Sequence, residues 1–154
     1  MISIIVHGNC QTDIDRLKIH KSVVKILKKE QEEFYIHSFA KRNSFSNFDF
    51  AGGGRGLDTN SNSVWNNSEW ISFVKSVHTS SVSEYALNIG TVNRGEKKEL
   101  IFAPIIFSND ETKALSIAKL YSSASKSGSG IAWFFHRQNK GWKLSGMQIF
   151  SFIN

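Results

Sequence analysis

The final third of the chain, residues 97–153, alternates apolar and polar residues between clusters of turn-forming residues. Side chains along an extended strand point to alternate faces, so this period of two predicts β-strands. The pattern is clearest in the last run, where one set of alternate residues is mostly apolar. We expect one face of that strand to carry Trp142, Leu144, Gly146, Gln148, Phe150 and Phe152.

The preceding run has the same alternation and places Ile131, Trp133 and Phe135 on a common face. Between the two runs, residues 138–141 include types that tolerate positive φ, which favours a short hairpin. The pattern as a whole predicts five strands, at residues 84–92, 99–107, 113–121, 131–137 and 142–152.

The segments between these strands set the expected topology. Residues 93–95 and 108–110 are rich in turn formers, so consecutive strands should be antiparallel neighbours. Pro104 cannot donate a ladder hydrogen bond, which predicts an edge or a bulge at that position. Residues 122–130 are mostly serine and glycine, and we interpret them as a loose loop between two strands.

Two helices are expected ahead of the strands. Thr12 followed by Asp15 is typical of an N-cap, and residues 13–34 contain neither glycine nor proline and carry an apolar stripe. A second helix of about three turns should begin with Ser68 as its cap. A short buried strand is expected at residues 3–7. The polar face of the long helix carries Lys18, Lys21, Lys25, Lys28 and Lys29.

At 154 residues the chain is long enough to bury one core, so we expect a single domain spanning residues 1–154. The elements predict an α+β fold in which a long N-terminal helix and a shorter helix pack on a curved antiparallel meander. Because Cys10 is the only cysteine, an internal disulfide and an all-cysteine zinc site are excluded.

The formal charge of +6 fits an anionic partner such as a nucleic acid, an acidic protein or a membrane surface. An excess of this size is also ordinary solubility charge. The lysine face of the long helix has the same two interpretations: it binds lipid or phosphate groups, or it is the solvated side of a core helix.

No apolar run approaches the ~18 residues of a membrane span, so we expect a soluble, cytoplasmic protein. An alternative arises at the amino terminus, where an apolar stretch precedes Cys10. If the true start lay upstream of Met1, this could be the end of a secretory signal with Cys10 as a lipid-acceptor residue, giving a cell-envelope lipoprotein.

Four glycines surround Arg55 in residues 52–56, and such a backbone can turn its amides toward an anion while the arginine binds it. The segment lacks the Gly-Lys-Ser/Thr ending of a phosphate loop and the spacing of a dinucleotide site. A flexible loop is the alternative interpretation. Arg55 therefore joins Lys18, Lys21 and Lys25 as a candidate anion-binding residue, and no cofactor is predicted.

The five histidines show no metal-ligand spacing, and we assign no metal site and no catalytic residue. His136 and Arg137 could place a base beside a cation at a strand end, although exposed polar residues next to a turn look the same. His78 precedes a hydroxyl-rich run but lacks a nucleophile elbow. These three residues are candidates for a pocket.

The order of a proline-containing strand at 103–107, an acidic turn at 108–110, a glycine-rich segment at 128–130 and the Gly141-Trp142 strand start resembles small uncharacterised bacterial α+β proteins. A long helix followed by a bent sheet is similar to the nuclear transport factor 2-like or cystatin-like layout. The resemblance implies a cone-shaped fold whose functions range from isomerases to scaffolds. In enzymes with such a fold, we expect a carboxylate that faces the cavity from the interior of a strand. In this chain the acidic residues Glu84, Glu99 and Asp110 fall at strand ends or turns.

The sequence thus favours a non-enzymatic binding or interaction protein, of accessory, envelope or immunity type and of bacterial origin, with a protein partner. One alternative is a small cone-fold enzyme with a pocket between helix and sheet. Another is a weak binder of anions or nucleic acid through Arg55 and the lysines.

Overall fold

The chain folds as an α+β protein with a mixed sheet. The computed structural model describes residues 10–30, 34–42, 68–76, 82–89, 98–139 and 141–153. In these ranges the elements are α1 (Cys10–Glu30), β1 (Tyr35–Ile36), β2 (Phe39–Ala40), α2 (Ser68–Lys75), β3 (Tyr85–Ala86), β4 (Lys98–Phe102), β5 (Ile106–Phe107), β6 (Lys113–Ser122), β7 (Ser127–Gln138) and β8 (Gly141–Ile153). The strand expected at residues 3–7 lies outside the described residues.

The main sheet has the order β1-β4-β6-β7-β8, and β5 also pairs with β6. The three longest strands, β6, β7 and β8, form consecutive antiparallel pairs, which confirms this part of the predicted meander. At the opposite side, β1 runs parallel to β4 and makes the sheet mixed. A parallel neighbour needs a long connection, and more than 60 residues separate these two strands in sequence.

The expected strand at 84–92 is only partly formed in the described residues. Its strand part is β3, Tyr85–Ala86, and this pairs with β2 in a separate two-stranded sheet rather than with β4. The prediction that it would neighbour the next strand was therefore wrong. Consecutive strands are the usual neighbours, but here β2 offers Phe39 and Ala40 as register partners.

Pro104 lies in a bulge, as predicted. Strand β4 ends at Phe102 opposite Ala118, and β5 resumes at Ile106 opposite Leu115. Three residues, 103–105, therefore face two residues of β6, which is the count of a β-bulge. Placing proline there leaves the ladder intact, because the Ala103 amide still donates to the Ile117 carbonyl at 2.8 Å.

A second irregularity lies in β8. Phe134 is paired with Gly146 and Phe135 with Leu144, so Ser145 has no register partner. The extra residue reverses the alternation from that point. Trp142 and Leu144 share the face of Phe135, whereas Gly146 and the alternate residues after it lie on the other face. The expected single face from Trp142 to Phe152 was wrong for this reason.

Residues 122–130 are mostly strand and not a loose loop. Ser122 pairs with Ser127, leaving only residues 123–126 as a turn, in which Lys126 has φ of 52°. Residues 127–129 are only half-buried, so this part of the strand does not need apolar side chains. Its polar composition therefore gave no strand pattern in the sequence. The other hairpin follows the prediction, with Gln138 opposite Gly141 and Asn139 at φ of 53°.

Helix α1 covers one face of the sheet. Its Ile19, Val23 and Leu27 are at most 1% exposed and belong to the same cluster as Trp133 and Phe135. The helix begins at Cys10, so Thr12 lies within its first turn and is not the cap that we expected. It ends at Glu30 rather than near Phe34, which is buried in the same cluster and extends the apolar pattern beyond the helix.

Helix α2 covers the opposite face. Trp70, Phe73 and Val74 form a cluster with Leu115 and Phe134, and the Trp70 ring meets the Phe134 ring edge-on at 5.5 Å. Successive residues of β6 and β7 thus contribute in turn to two cores, one under each helix. This explains the unbroken buried run from Gly130 to Phe135.

Truncating Leu27 tests whether α1 is fixed to the sheet. Leu27→Ala should lower the free energy of unfolding by about 2–5 kcal/mol, because it leaves a cavity in the core. The neighbouring Lys28→Ala, on the exposed side, should change it by less than about 0.5 kcal/mol. Urea unfolding followed by circular dichroism measures both values, and equal effects would contradict the burial pattern of the helix.

Candidate functional site

The exposed side of α1 carries a stripe of lysines, which we call the lysine stripe and define as Lys18, Lys21, Lys25, Lys28 and Lys29. At 100° per residue the five side chains fall within an arc of about 100°, and they extend for about 16 Å along the helix axis. All five residues are exposed. None forms an ion pair with any residue that the structure describes.

The opposite side of α1 explains why the stripe is held in place. Between the lysines lie the buried Ile19, Val23 and Leu27, which pack against the sheet. A helix locked on one side presents the other side with little rotational freedom. The predicted candidates Lys18, Lys21 and Lys25 are therefore brought together on one surface, while Arg55 lies outside the described residues.

A buried ion pair also attaches α1 to β7. Asp15, whose side chain is 4% exposed, accepts a hydrogen bond from Arg137 Nη2 at 2.8 Å and another from Gln11 Nε2 at 3.0 Å. Arg137 also donates from Nε to the Glu111 carbonyl and lies over the Trp142 ring, 4.6 Å from its centroid. Its guanidinium is engaged in holding structural elements together.

His136 lies on the other face of β7 from Arg137, since adjacent strand residues point in opposite directions. Its Nδ1 is 2.5 Å from the hydroxyl of Ser145, the bulged residue of β8. The structure therefore does not bring His136 and Arg137 together, and neither lines the two cavities described below. His78, the third pocket candidate, lies outside the described residues.

A cavity of about 560 Å³ lies between the first half of α1 and strand β3. Its wall is mostly apolar, with Ile14, Leu17 and Leu87, and its polar side chains include Arg16 and His20. This volume is within the range of small-molecule sites, about 300–1,000 Å³. Sequence reasoning missed this cavity, because its two walls are about 65 residues apart in the chain.

His20 and Tyr85 form the buried polar part of this cavity. His20 Nε2 lies 2.8 Å from the Tyr85 hydroxyl, which accepts a hydrogen bond from the Ile105 amide at 2.9 Å. We assign the phenol proton to this contact, so that Nε2 accepts it and the histidine proton lies on Nδ1. Nδ1 is buried and has no partner among the described residues.

Burial dominates the proton affinities of this pair. It lowers the pKa of His20 to about 3, with the Arg16 charge acting in the same direction. Burial also raises the pKa of Tyr85 to about 12, against the opposing effects of the Ile105 amide and Arg16. Both side chains are therefore neutral at physiological pH, and the pair offers hydrogen bonds without charge.

Arg16 forms the cationic part of the cavity wall. Its guanidinium carbon lies 4.7 Å from the centroid of the Tyr85 ring, and Nη1 donates to Asp13 at 3.0 Å. Arg16 Nε is buried without a hydrogen-bond partner. An arginine with a free donor beside an apolar wall is a common arrangement in sites for carboxylates and phosphates.

A second cavity of about 710 Å³ lies between α2 and the β5–β6 turn. Lys113 is the cation of its wall, and it pairs with Glu69 at 3.2 Å. Asp110 accepts hydrogen bonds from Ser108 and Thr112 side chains and from the Thr112 amide, which hold the pKa of this carboxyl below its usual range. These contacts order the turn, and both Asp110 and Lys113 have partners among the described residues.

The described residues contain no group of three or more histidine, cysteine, aspartate or glutamate side chains that could hold a metal ion. None of the helices within the same ranges is long and apolar enough to cross a membrane.

Comparison of the chain with protein-family models, with curated proteins and with solved structures gave no match. The lysine stripe and the cavity beside α1 are therefore the two features of the molecule that indicate a function.

The Asp15–Arg137 pair should contribute measurably to stability. In a double-mutant cycle with Asp15→Ala and Arg137→Ala, we expect a coupling energy of about 1–3 kcal/mol, because the carboxylate is buried. The exposed Asp13–Arg16 pair on the same helix is the control, with an expected coupling below about 1 kcal/mol. Chemical unfolding measures both cycles, and equal couplings would contradict a structural role for Arg137.

Acid should weaken the fold through His20. The unfolded state binds a proton near pH 6.5 and the folded state only near pH 3. The free energy of unfolding is therefore unaffected by His20 above pH 6.5, and it falls by about 1.4 kcal/mol per pH unit between pH 6.5 and about pH 3. His20→Gln should flatten this dependence, whereas His37→Gln should retain it. Urea unfolding between about pH 4 and 8 measures the slopes, and an unchanged slope in His20→Gln would contradict the burial argument.

Proposed function

We propose that this protein is a binding protein whose lysine stripe engages an acidic partner protein. The observation that carries the proposal is the stripe itself: five exposed lysines on one helical arc, without ion pairs to described residues. Surface lysines close together repel one another, and an acidic partner removes that repulsion on binding.

The rigidity of α1 supports the proposal. Since Ile19, Val23 and Leu27 are buried in the main core, the backbone that carries the stripe does not need to be ordered when a partner arrives. A preordered surface loses less conformational entropy on binding than a mobile one. The charges extend for about 16 Å, which suits an acidic helix or loop of similar length.

The positions of the other candidates support binding over catalysis. Arg137 is held by Asp15 and the Glu111 carbonyl, and His136 points to the opposite face of β7. A base and a cation held on opposite faces cannot act on one substrate group. The accessory, envelope or immunity-type role suggested by the sequence remains compatible with such a binding surface.

The cavity beside α1 favours a second candidate, a small cone-type enzyme or carrier with a pocket between helix and sheet. It has the position that this alternative requires and a suitable volume of about 560 Å³. Its polar groups are His20, Tyr85 and Arg16, which differ from the residues nominated from sequence. A nuclear transport factor 2-like or cystatin-like relationship would be in keeping with this candidate.

Charge reversal of the stripe tests the leading proposal. The variant Lys18→Glu/Lys21→Glu/Lys25→Glu should bind a fluorescent polyglutamate peptide at least about tenfold more weakly than the wild type. Binding by the wild type should weaken with added salt, because the contacts are solvent-exposed charge pairs. Fluorescence anisotropy over a salt series measures both effects.

The control is a variant with the same change of net charge at exposed lysines elsewhere, Lys41→Glu/Lys126→Glu/Lys143→Glu. It should retain affinity within about threefold. Equal losses in the two variants would show that net charge alone attracts the peptide, which would overturn the proposal. Tighter binding to duplex DNA than to polyglutamate, lost in the stripe variant, would instead identify a nucleic-acid surface.

A partner search can use the same variants. Proteins recovered with the wild type and with the control variant, but not with the stripe variant, are those that require the stripe. Recovery of the same proteins with all three baits would contradict the proposed role.

A further inference from the structure

We propose that the cavity between α1 and β3 binds a small carboxylic acid with an apolar body, held by Arg16 and His20 and resting on Ile14, Leu17 and Leu87. This site is separate from the lysine stripe, and its ligand does not depend on the proposed function. Two buried hydrogen-bond donors, Arg16 Nε and His20 Nδ1, have no acceptor among the described residues.

The first donor is Arg16. Its Nη1 is used by Asp13, whereas no hydrogen bond to a described residue uses Nη2 or Nε, and Nε is buried. The Nε–Nη2 edge of a guanidinium is the edge that binds a carboxylate through two parallel hydrogen bonds. A buried charged donor without an acceptor is costly, so a ligand that displaces the groups covering Nε and accepts a hydrogen bond from it is favourable.

The second donor is His20 Nδ1. With the phenol proton of Tyr85 assigned to the contact with His20 Nε2, the histidine proton lies on Nδ1. This atom has no partner among the described residues, although the residue is only 1% exposed and lines the cavity. Both residues belong to the wall of one cavity, and the charge of Arg16 favours an anionic ligand.

The rest of the wall defines the body of the ligand. Ile14 is 41% exposed although it faces a cavity that also includes Leu17 and Leu87. Covering such surface is worth about 25 cal/mol per Å². A small carboxylate without an apolar group would leave these side chains exposed to water. A carboxylic acid with a phenyl or short alkyl group would cover them.

Asp13 gives the proposal a directional test. Its carboxylate competes with a ligand carboxylate for Arg16 and repels it. Removing its charge with Asp13→Asn should therefore tighten the binding of an anionic ligand. The same substitution should weaken the binding of a cationic ligand, so it separates the two classes.

The experiment uses the full chain with 4-phenylbutyrate as the probe and calorimetry or NMR titration as the measurement. The wild type should show saturable binding, and Asp13→Asn should tighten it by about threefold or more. Arg16→Gln should weaken it by about tenfold or more. Lys126→Gln removes one positive charge in the distant β6–β7 turn and should leave the affinity unchanged.

Two comparisons complete the test. The neutral analogue 4-phenylbutanamide should bind at least about tenfold more weakly than the acid. Ala86→Trp should block the site from the β3 wall, whereas Ser83→Trp, at an exposed position outside the wall, should not.

The proposal is overturned if the acid does not saturate the wild type at about 10 mM, or if the amide binds equally well. Tighter binding of 4-phenylbutylamine than of the acid would also overturn it. If Arg16→Gln proves unstable, Asp13→Asn and Ala86→Trp still decide the outcome.

Discussion

The contact between α1 and the sheet is the interaction on which the other features depend. The helix buries Ile19, Val23 and Leu27 in one cluster with side chains of the sheet, among them Phe102 and Trp133. This packing fixes the rotation of the helix about its axis. With the rotation fixed, the lysines can only face outward. Asp15 comes opposite Arg137, and His20 comes opposite Tyr85. One apolar interface thus positions a charged surface, an ion pair and a cavity wall.

The sheet can support this contact because it is covered on both faces. Phe134 and Leu115 pack under α2, while Trp133 and Phe135 pack under α1. A central strand buried on both faces cannot move toward one helix without losing contacts with the other. The two bulges adapt the sheet to this arrangement: one accommodates Pro104 between two ladders, and the other changes the face of β8 at Ser145.

Much of the fold could be predicted from the sequence, because hydrophobic periodicity reports directly on burial. Alternation located β6, β7 and β8, and the apolar stripe located α1. It did not reveal the Ser145 bulge, although Gly146, an isolated glycine inside a strand pattern, is a residue type that often marks one. The serine-rich start of β7 was not predicted as a strand. It lies in the sheet because it pairs with β6 and β8 on its two sides, and its own side chains carry no apolar pattern.

The candidate sites depended more strongly on tertiary contacts. The lysine stripe was visible as a helical pattern, because all of its members lie on one element. Arg137 was noticed for its charge, but its partner Asp15 is 122 residues away, and no local pattern indicates such a pair. His20 could have been singled out as a titratable residue on the apolar side of α1, whereas Tyr85 carries no local signal.

The Tyr85 hydroxyl forms hydrogen bonds with two parts of the molecule at once. It touches the helix through His20 and the interrupted strand pair through the Ile105 amide, immediately after Pro104. This oxygen atom therefore connects the buried polar part of the cavity with the bulge at residues 103–105. Any molecule that displaces this phenol would alter the local geometry of the sheet as well as the shape of its own pocket.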